Sequence, residues 1–352
     1  MPSSALPKRP RILLVKLSSF GDVLHTLPAL EALRAAFPRG RITWLVEAAY
    51  APLLARHPAL DDVWLAPRLR PGEWFSGANP VLVRDLLRRL RAQPFDLVVD
   101  FQGLLKSAIW VFLARSPRKV GYGGTRELSY LALTDRVRPF DHEAHAVRRY
   151  LNLAHHLGAS PAPPNFRLDL GTDVDVSQFI PRGDSRPLAV LHPGARWASK
   201  LWPSASWARL ARWLINERGF QVAITGSPAD RELAARILAE LANLPSPALN
   251  LVGRTSLAEL AAVLRAARLA VTTDTGAMHL AAVLGTPVAA LFGPTAPWRT
   301  GPWGQGHEVL RLGLECSPCF QRRCSDPRCL QELTVESVTD ACEKILSQPG
   351  NN

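Results

Sequence analysis

Short apolar runs alternate along this chain with longer segments whose apolar positions recur at helical spacing. The runs at Arg11–Lys16, Ile42–Val46, Leu97–Asp100, Lys119–Gly121, Pro187–Leu191, Val222–Ile224 and Leu269–Thr272 predict buried strands. The periodic segments 81–92, 104–114, 143–157, Ser204–Glu217, Met278–Leu284 and Thr334–Leu346 predict helices. In the segment from Ser204, Trp207, Leu210, Ala211 and Leu214 share one face. Regular strand–helix alternation predicts an α/β fold with mainly parallel sheets.

At 352 residues the chain is long enough for two domains. The stretch from Leu170 to Pro187 is polar and turn-rich, with Asp175, Gly183, Asp184 and Ser185. We therefore expect an N-terminal domain over 1–180 and a C-terminal one over 181–352.

Candidate chemistry lies on strand-to-helix turns. Asp274-Thr275-Gly276-Ala277 joins a strand to a helix, where free N–H groups and the positive end of the helix dipole favour a diphosphate. Asp274 or Thr275 could equally cap that helix. A second such turn, His192-Pro193-Gly194 through Lys200-Leu201-Trp202-Pro203, combines a permissive glycine with the charges of Arg196 and Lys200. Asp22 sits on a third, after Ser18-Ser19-Phe20-Gly21, as either a helix cap or a general base.

Three segments together resemble glycosyltransferase family nine, the ADP-heptose:lipopolysaccharide heptosyltransferases. They are Lys16-Leu17-Ser18-Ser19-Phe20-Gly21-Asp22 through Pro28, His192-Pro193-Gly194 through Pro203, and Asp274-Thr275-Gly276 through His279 followed by Phe292-Gly293-Pro294-Thr295. The resemblance implies the GT-B architecture, two facing Rossmann-like domains with a cleft between them. It implies inverting transfer of heptose from ADP-heptose to the lipopolysaccharide inner core, on Kdo-lipid A or a core heptose. On this reading Asp22 is the base and Lys200 neutralises the departing ADP. Gly194, Arg196, Asp274, Thr275, Gly276, Ala277 and His279 surround the donor, and Glu232 or Asp230 meets the ribose.

Lys106, Arg126, His145 and Arg149 are the expected contacts to an acidic acceptor, by resemblance to heptosyltransferase I. Transfer from another nucleotide sugar, transfer to a protein acceptor and a non-catalytic relative stay open. Asp22 and Lys200 together disfavour the last. The one Asp-x-Asp, Asp173-Val174-Asp175, lies in the polar stretch between the domains and on none of these turns, so catalysis is expected to need no metal or other cofactor.

The net charge is +12, and it is uneven: 24 Lys and Arg against 16 Asp and Glu in the first 180 residues, 18 against 14 in the rest. That balance suits an anionic partner for the first half, and equally a solvated basic surface. Arg84, Arg88 and Arg91 line one face of the 81–92 helix, which suits an acidic membrane surface as well as water. No nucleic-acid recognition motif accompanies the charge, so nucleic acid is not an expected partner.

No apolar run approaches the ~18 residues of a membrane span, and the N-terminal run is too short for a signal peptide. The expected location is cytoplasmic, with peripheral contact at the inner membrane. All five cysteines lie beyond residue 315, four of them as Cys316-x2-Cys319-x4-Cys324-x4-Cys329. Such a cluster suits either a structural zinc or iron, or reduced thiols packing a loop.

Overall fold

The computed structural model describes residues 6–68, 80–171, 174–181 and 183–348. The chain forms two compact units, Met1–Leu170 and Gly171–Asn352. The break falls at the start of the polar stretch.

In unit 1, β1 (Arg11–Val15) leads into α1 (Phe20–Ala36), followed by β2 (Arg41–Glu47) and β3 (Asp62–Ala66). Then come α2 (Pro80–Ala92), β4 (Leu97–Asp100), α3 (Leu105–Leu113), β5 (Lys119–Tyr122), β6 (Asp135–Val137) and α4 (Ala146–His156). The sheet order is β3-β2-β1-β4-β5-β6, and every pairing is parallel. Ile12, Leu13, Leu14 and Val15 are all fully buried, as a strand covered on both faces requires. α1 packs along α4.

Unit 2 repeats the plan. It runs β7 (Leu188–His192), α5 (Ser204–Asn216), β8 (Gln221–Ile224), α6 (Arg231–Ala239), β9 (Leu249–Asn250) and α7 (Leu257–Ala266). It continues with β10 (Ala267–Thr273), α8 (Gly276–Val283), β11 (Val288–Leu291), α9 (Pro297–Thr300), β12 (Glu308–Leu310), α10 (Arg328–Gln331) and α11 (Val335–Leu346). The order is β12-β11-β10-β7-β8-β9, again all parallel. α11 packs on α5, β10, β11 and β12, burying Val338, Ala341, Cys342 and Ile345.

Both sheets are doubly wound, so each has a point where the strand order reverses. It lies between β1 and β4 in unit 1 and between β7 and β10 in unit 2. Loops leaving the carboxyl ends of such a strand pair diverge to opposite faces and open a crevice for ligand. This topology brings the turn after β1 beside the turn after β4. It also brings the His192-Pro193-Gly194 turn beside Asp274-Thr275-Gly276, about 80 residues further on.

Candidate active site

At the unit 1 switch point, Gln102 pins the turn after β1. Its Oε1 accepts from the N–H groups of Leu17 (3.1 Å) and Ser18 (3.0 Å). Asp22 then stands in the first turn of α1, which begins at Phe20 with Ser19 as the N-cap. The Ser19 N–H (3.2 Å) and hydroxyl (2.8 Å) donate to Asp22 Oδ2. Asp22 is thus the third helical residue, closing a capping box, and not the cap itself.

Its other oxygen faces a buried pair. Tyr150, on α4, donates to Oδ1 at 3.0 Å and accepts from Lys16 Nζ at 2.7 Å. Lys16 Nζ lies 3.8 Å from Asp22 Oδ1 and donates to the Phe101 carbonyl at 3.2 Å. Burial works against Asp22 ionising, but the Lys16 ammonium and the Ser19 donors outweigh it and hold the carboxyl well below the usual range. Burial and the Asp22 charge push the Tyr150 phenol well up, so it stays a donor. The result is an ionised carboxylate that is one third exposed.

Of the expected acceptor contacts, Lys106 reaches this turn directly. Its ammonium donates to the Ser18 hydroxyl and to Glu47 Oε1 (2.7 Å). Arg149 adjoins the same cluster, since its charge opposes that of Lys16. Its Nε is buried without a hydrogen-bond partner, and no carboxylate pairs with it among the described residues. His145 instead caps α4, its Nδ1 accepting from the Val147 N–H at 3.2 Å, with its ring edge-on to His25 at 5.0 Å. The Arg126 side chain lies outside the described residues.

At the unit 2 switch point, Thr273 Oγ1 donates to the Gly194 carbonyl at 2.8 Å and ties the two turns together. Lys200 Nζ donates to Asp274 Oδ2 at 2.6 Å and to the Asp274 carbonyl at 3.3 Å, above the Trp197 ring. Thr295 donates to the same Oδ2 at 2.7 Å. Asp274 is therefore spent on holding Lys200 and does not cap α8. Thr275 is the N-cap residue, yet its side chain makes no cap bond and its buried Oγ1 has no partner. Neither residue does the ordinary capping job, and the first N–H groups of α8, at Gly276 and Ala277, have no helical acceptor.

Gly194 is required by close approach. A Cβ there would lie 2.6 Å from Asp230 Oδ2. Asp230 is held in place by the Ser227 N–H (2.7 Å) and hydroxyl (2.6 Å). His192 accompanies this turn, bonded to Thr225 Oγ1 at 3.0 Å and pushed down to about 4 by burial, so it is neutral. His279 is buried on α8, one turn beyond the N-cap. Arg196 is exposed without a carboxylate partner among the described residues. Glu232 points to solvent in the first turn of α6 and pairs with Arg236 at 2.6 Å.

The metal expectation at the cysteine cluster is not met. Among the described residues no group of three or more His, Cys, Asp or Glu side chains is placed to hold a metal ion. Cys316 and Cys324 are exposed, whereas Cys329 packs where a Cβ on Gly293 would touch its sulfur at 3.0 Å. Burial and the neighbouring cysteines raise the Cys329 thiol, which keeps it protonated. Polar bonds hold this loop instead: Ser317 Oγ donates to the Gly293 carbonyl and Ser199 Oγ to the Gln321 carbonyl, both at 2.6 Å. The loop thereby buttresses the segments that carry Lys200 and Thr295.

The chain that carries these two switch points matches a known family. The profile described as glycosyltransferase family 9 (heptosyltransferase) covers residues 83–329. The chain belongs to that family. It is 35% identical to lipopolysaccharide heptosyltransferase 1 of Pseudomonas aeruginosa, over 96% of this chain and 99% of that one. It is 32% identical to lipopolysaccharide heptosyltransferase 2 of Salmonella typhimurium, over 97% and 99%. Among solved structures, an E. coli heptosyltransferase with ADP superimposes with a TM-score of 0.75 at 30% identity, covering 95% of this chain and 99% of that one. The same E. coli protein with ADP-2-deoxy-2-fluoro heptose gives 0.72 at 29%, with the same coverage. The chain is thus a family 9 glycosyltransferase with two parallel-sheet Rossmann-like units of the GT-B class.

Residue spacing missed Lys16, Tyr150, Gln102 and Thr295 as members of these sites. Lys16 and Gln102 carry a weak signal, a polar residue at or just beyond a buried strand's end. Tyr150 carries none, because it is a core-facing position of an amphipathic helix 128 residues from Asp22.

Proposed function

We propose that this enzyme transfers heptose from ADP-heptose, with inversion, to the lipopolysaccharide inner core, either Kdo on lipid A or a core heptose. The observation that carries this reading is the Lys200–Asp274–Thr295 cluster at the open N-terminus of α8. The Lys200 cation, the uncommitted Thr275 hydroxyl and two N–H groups of the first turn of α8 suit a diphosphate whose charge grows as it leaves.

In unit 1, Asp22 accepts the proton of the acceptor hydroxyl as its oxygen bonds to the anomeric carbon. The bond from that carbon to the β-phosphate oxygen breaks, and ADP departs with the electron pair. Lys200 and the α8 N–H groups stabilise it without a divalent metal. Where the acceptor is Kdo, Lys106 and Arg149 answer its carboxylate. Glu232 addresses the ribose by sharing its hydrogen bonds with Arg236. Peripheral contact with the cytoplasmic face of the inner membrane belongs to the same reading, because the acceptor is lipid-linked.

The test is a panel of nucleotide sugars, each with and without an acidic core acceptor, scored by ADP release. Release from ADP-heptose that depends on the acceptor supports the reading. Turnover of another nucleotide sugar in preference, or none, would reject it.

A further inference from the structure

On unit 1, α3 packs against the turn Arg126–Ala132, and together they expose a group of large apolar side chains. Phe112 is 71% exposed, Leu131 62%, Leu128 60% and Leu105 45%. Leu128 holds φ 54°, in the left-handed region that a bulky side chain rarely adopts. The adjacent Glu127 is also left-handed, at φ 61°, and its carboxylate accepts from the Leu105 N–H at 2.9 Å. That bond ties the strained turn to the start of α3. The apolar side chains are thus displayed by a fixed surface.

Three cations surround this group, and none is neutralised by a carboxylate among the described residues. Lys119 donates to the Phe112 carbonyl at 2.8 Å and lies over the Phe112 ring. Arg136 donates to the Tyr130 carbonyl at 3.1 Å and lies over the Tyr130 ring. Arg115 donates to the Arg91 carbonyl at 3.0 Å, which joins the patch to the exposed arginines of α2. Carbonyls satisfy the donors but leave the positive charge. Exposed aromatic and aliphatic tips ringed by uncompensated cations are complementary to an anionic lipid surface, where tips enter the acyl boundary and cations meet headgroup phosphates.

We propose that the surface formed by α3 and the Arg126–Ala132 turn seats on an anionic bilayer. The inference rests on the reading that the acceptor is lipid-linked. It names the surface that meets that lipid. Lys106 adjoins Leu105 on α3 and reaches the Ser18 hydroxyl, so the patch borders the turn that carries Asp22. A bilayer held there presents its headgroup sugars to the base.

The test is co-sedimentation of the full chain with vesicles of phosphatidylcholine alone, or of phosphatidylcholine mixed with phosphatidylglycerol. Wild type is expected to bind the mixed vesicles, to bind neutral ones at least ~10-fold more weakly, and to be released by salt. The double variant Phe112→Ser/Leu131→Ser is expected to lose ~10-fold or more in partitioning, and Arg115→Glu/Lys119→Glu a similar factor. All are to be compared at matched thermal stability, with turnover measured on a water-soluble, acyl-free acceptor. Intact turnover with lost vesicle binding supports the patch. Unchanged vesicle binding by both variants overturns it. So does a dimer that the serine variant converts to monomer, which would show that a second copy covers the surface. Failure of turnover in every protein while vesicle binding holds would reject the proposed reaction and leave the surface assignment standing.

Discussion

Asp22 and Lys200 are both committed to internal ion pairs before any ligand arrives, and this shapes what their loss would do. Asp22 is kept ionised by Lys16 and by Ser19 and Tyr150 donors. Asp22→Asn keeps the shape of the capping box but cannot take a proton. Transfer is expected to fall by ~10²–10⁴-fold with little change in ADP-heptose affinity. Near-normal turnover in the folded variant would remove Asp22 from the base role. Lys200→Ala leaves Asp274 with the Thr295 hydroxyl alone. ADP affinity is expected to drop ~10- to 100-fold, the worth of one charge-assisted hydrogen bond, while adenosine affinity holds. Equal losses for ADP and adenosine in calorimetric titration would show that Lys200 does not read phosphate.

At the scale of elements, the proposed donor site depends on how closely two loops approach. The turn after β7 touches the Asp230 carboxylate through Gly194, leaving no room for a Cβ. Asp230 cannot retreat freely, because Ser227 holds it with two bonds. Gly194→Ala is therefore expected to cost about 1–3 kcal/mol of stability by overpacking. It should also weaken ADP binding by displacing the turn. Urea unfolding and ADP titration of the same preparation check both; two unchanged values would mean that Asp230 relocates without cost. The cysteine loop shows the opposite case, where a conspicuous residue pattern is less informative than its neighbours. Ser317 and Ser199, not the thiols, make the bonds that place it.

Two predictions concern the whole molecule. His57 is buried and pushed down to about 4 by desolvation, below the ~6.5 of an unfolded chain. Above pH 6.5 neither state binds the proton and the group contributes nothing. Below it the unfolded chain gains a proton that the folded one refuses, so stability falls as pH drops from 6.5 towards 4. The expected loss at pH 5 is about 2 kcal/mol. Urea midpoints at pH 7 and pH 5 should converge in His57→Gln relative to wild type; an identical pH dependence in the two proteins would exclude His57 as its source. Separately, transfer is expected to survive EDTA if, as proposed, Lys200 and the α8 N-terminus provide the positive potential at the leaving group. Loss of activity with the fold retained, restored by magnesium, would overturn that leaving-group mechanism.

The strand–helix alternation was legible from the sequence because buried parallel strands are continuous apolar runs and their helices are amphipathic. The placement of Asp22, Gly194, Lys200 and Asp274 near strand-to-helix turns was legible too, since turns with glycine and charge stand out between apolar runs. Short edge strands such as β6 and β12 were not, because three residues carry too little periodicity to register. The choice between capping and chemistry was likewise open. Thr275 could have capped α8, and Asp22 could have been a simple cap. Only the fold shows that Thr275 makes no cap bond and that Asp22 is the third residue of its helix, not the N-cap. Parallel strand order places the turns after β7 and β10 side by side, so Lys200 claims Asp274 and Thr275 is left without a cap bond. Packing of α4 on α1 brings Tyr150 to Asp22, where it also meets Lys16 from the end of β1. A residue's type and local spacing determine which element it occupies and what it could do. Which partner spends its charge or its lone pairs depends on contacts far apart in the chain, and those exist only once the sheets have formed.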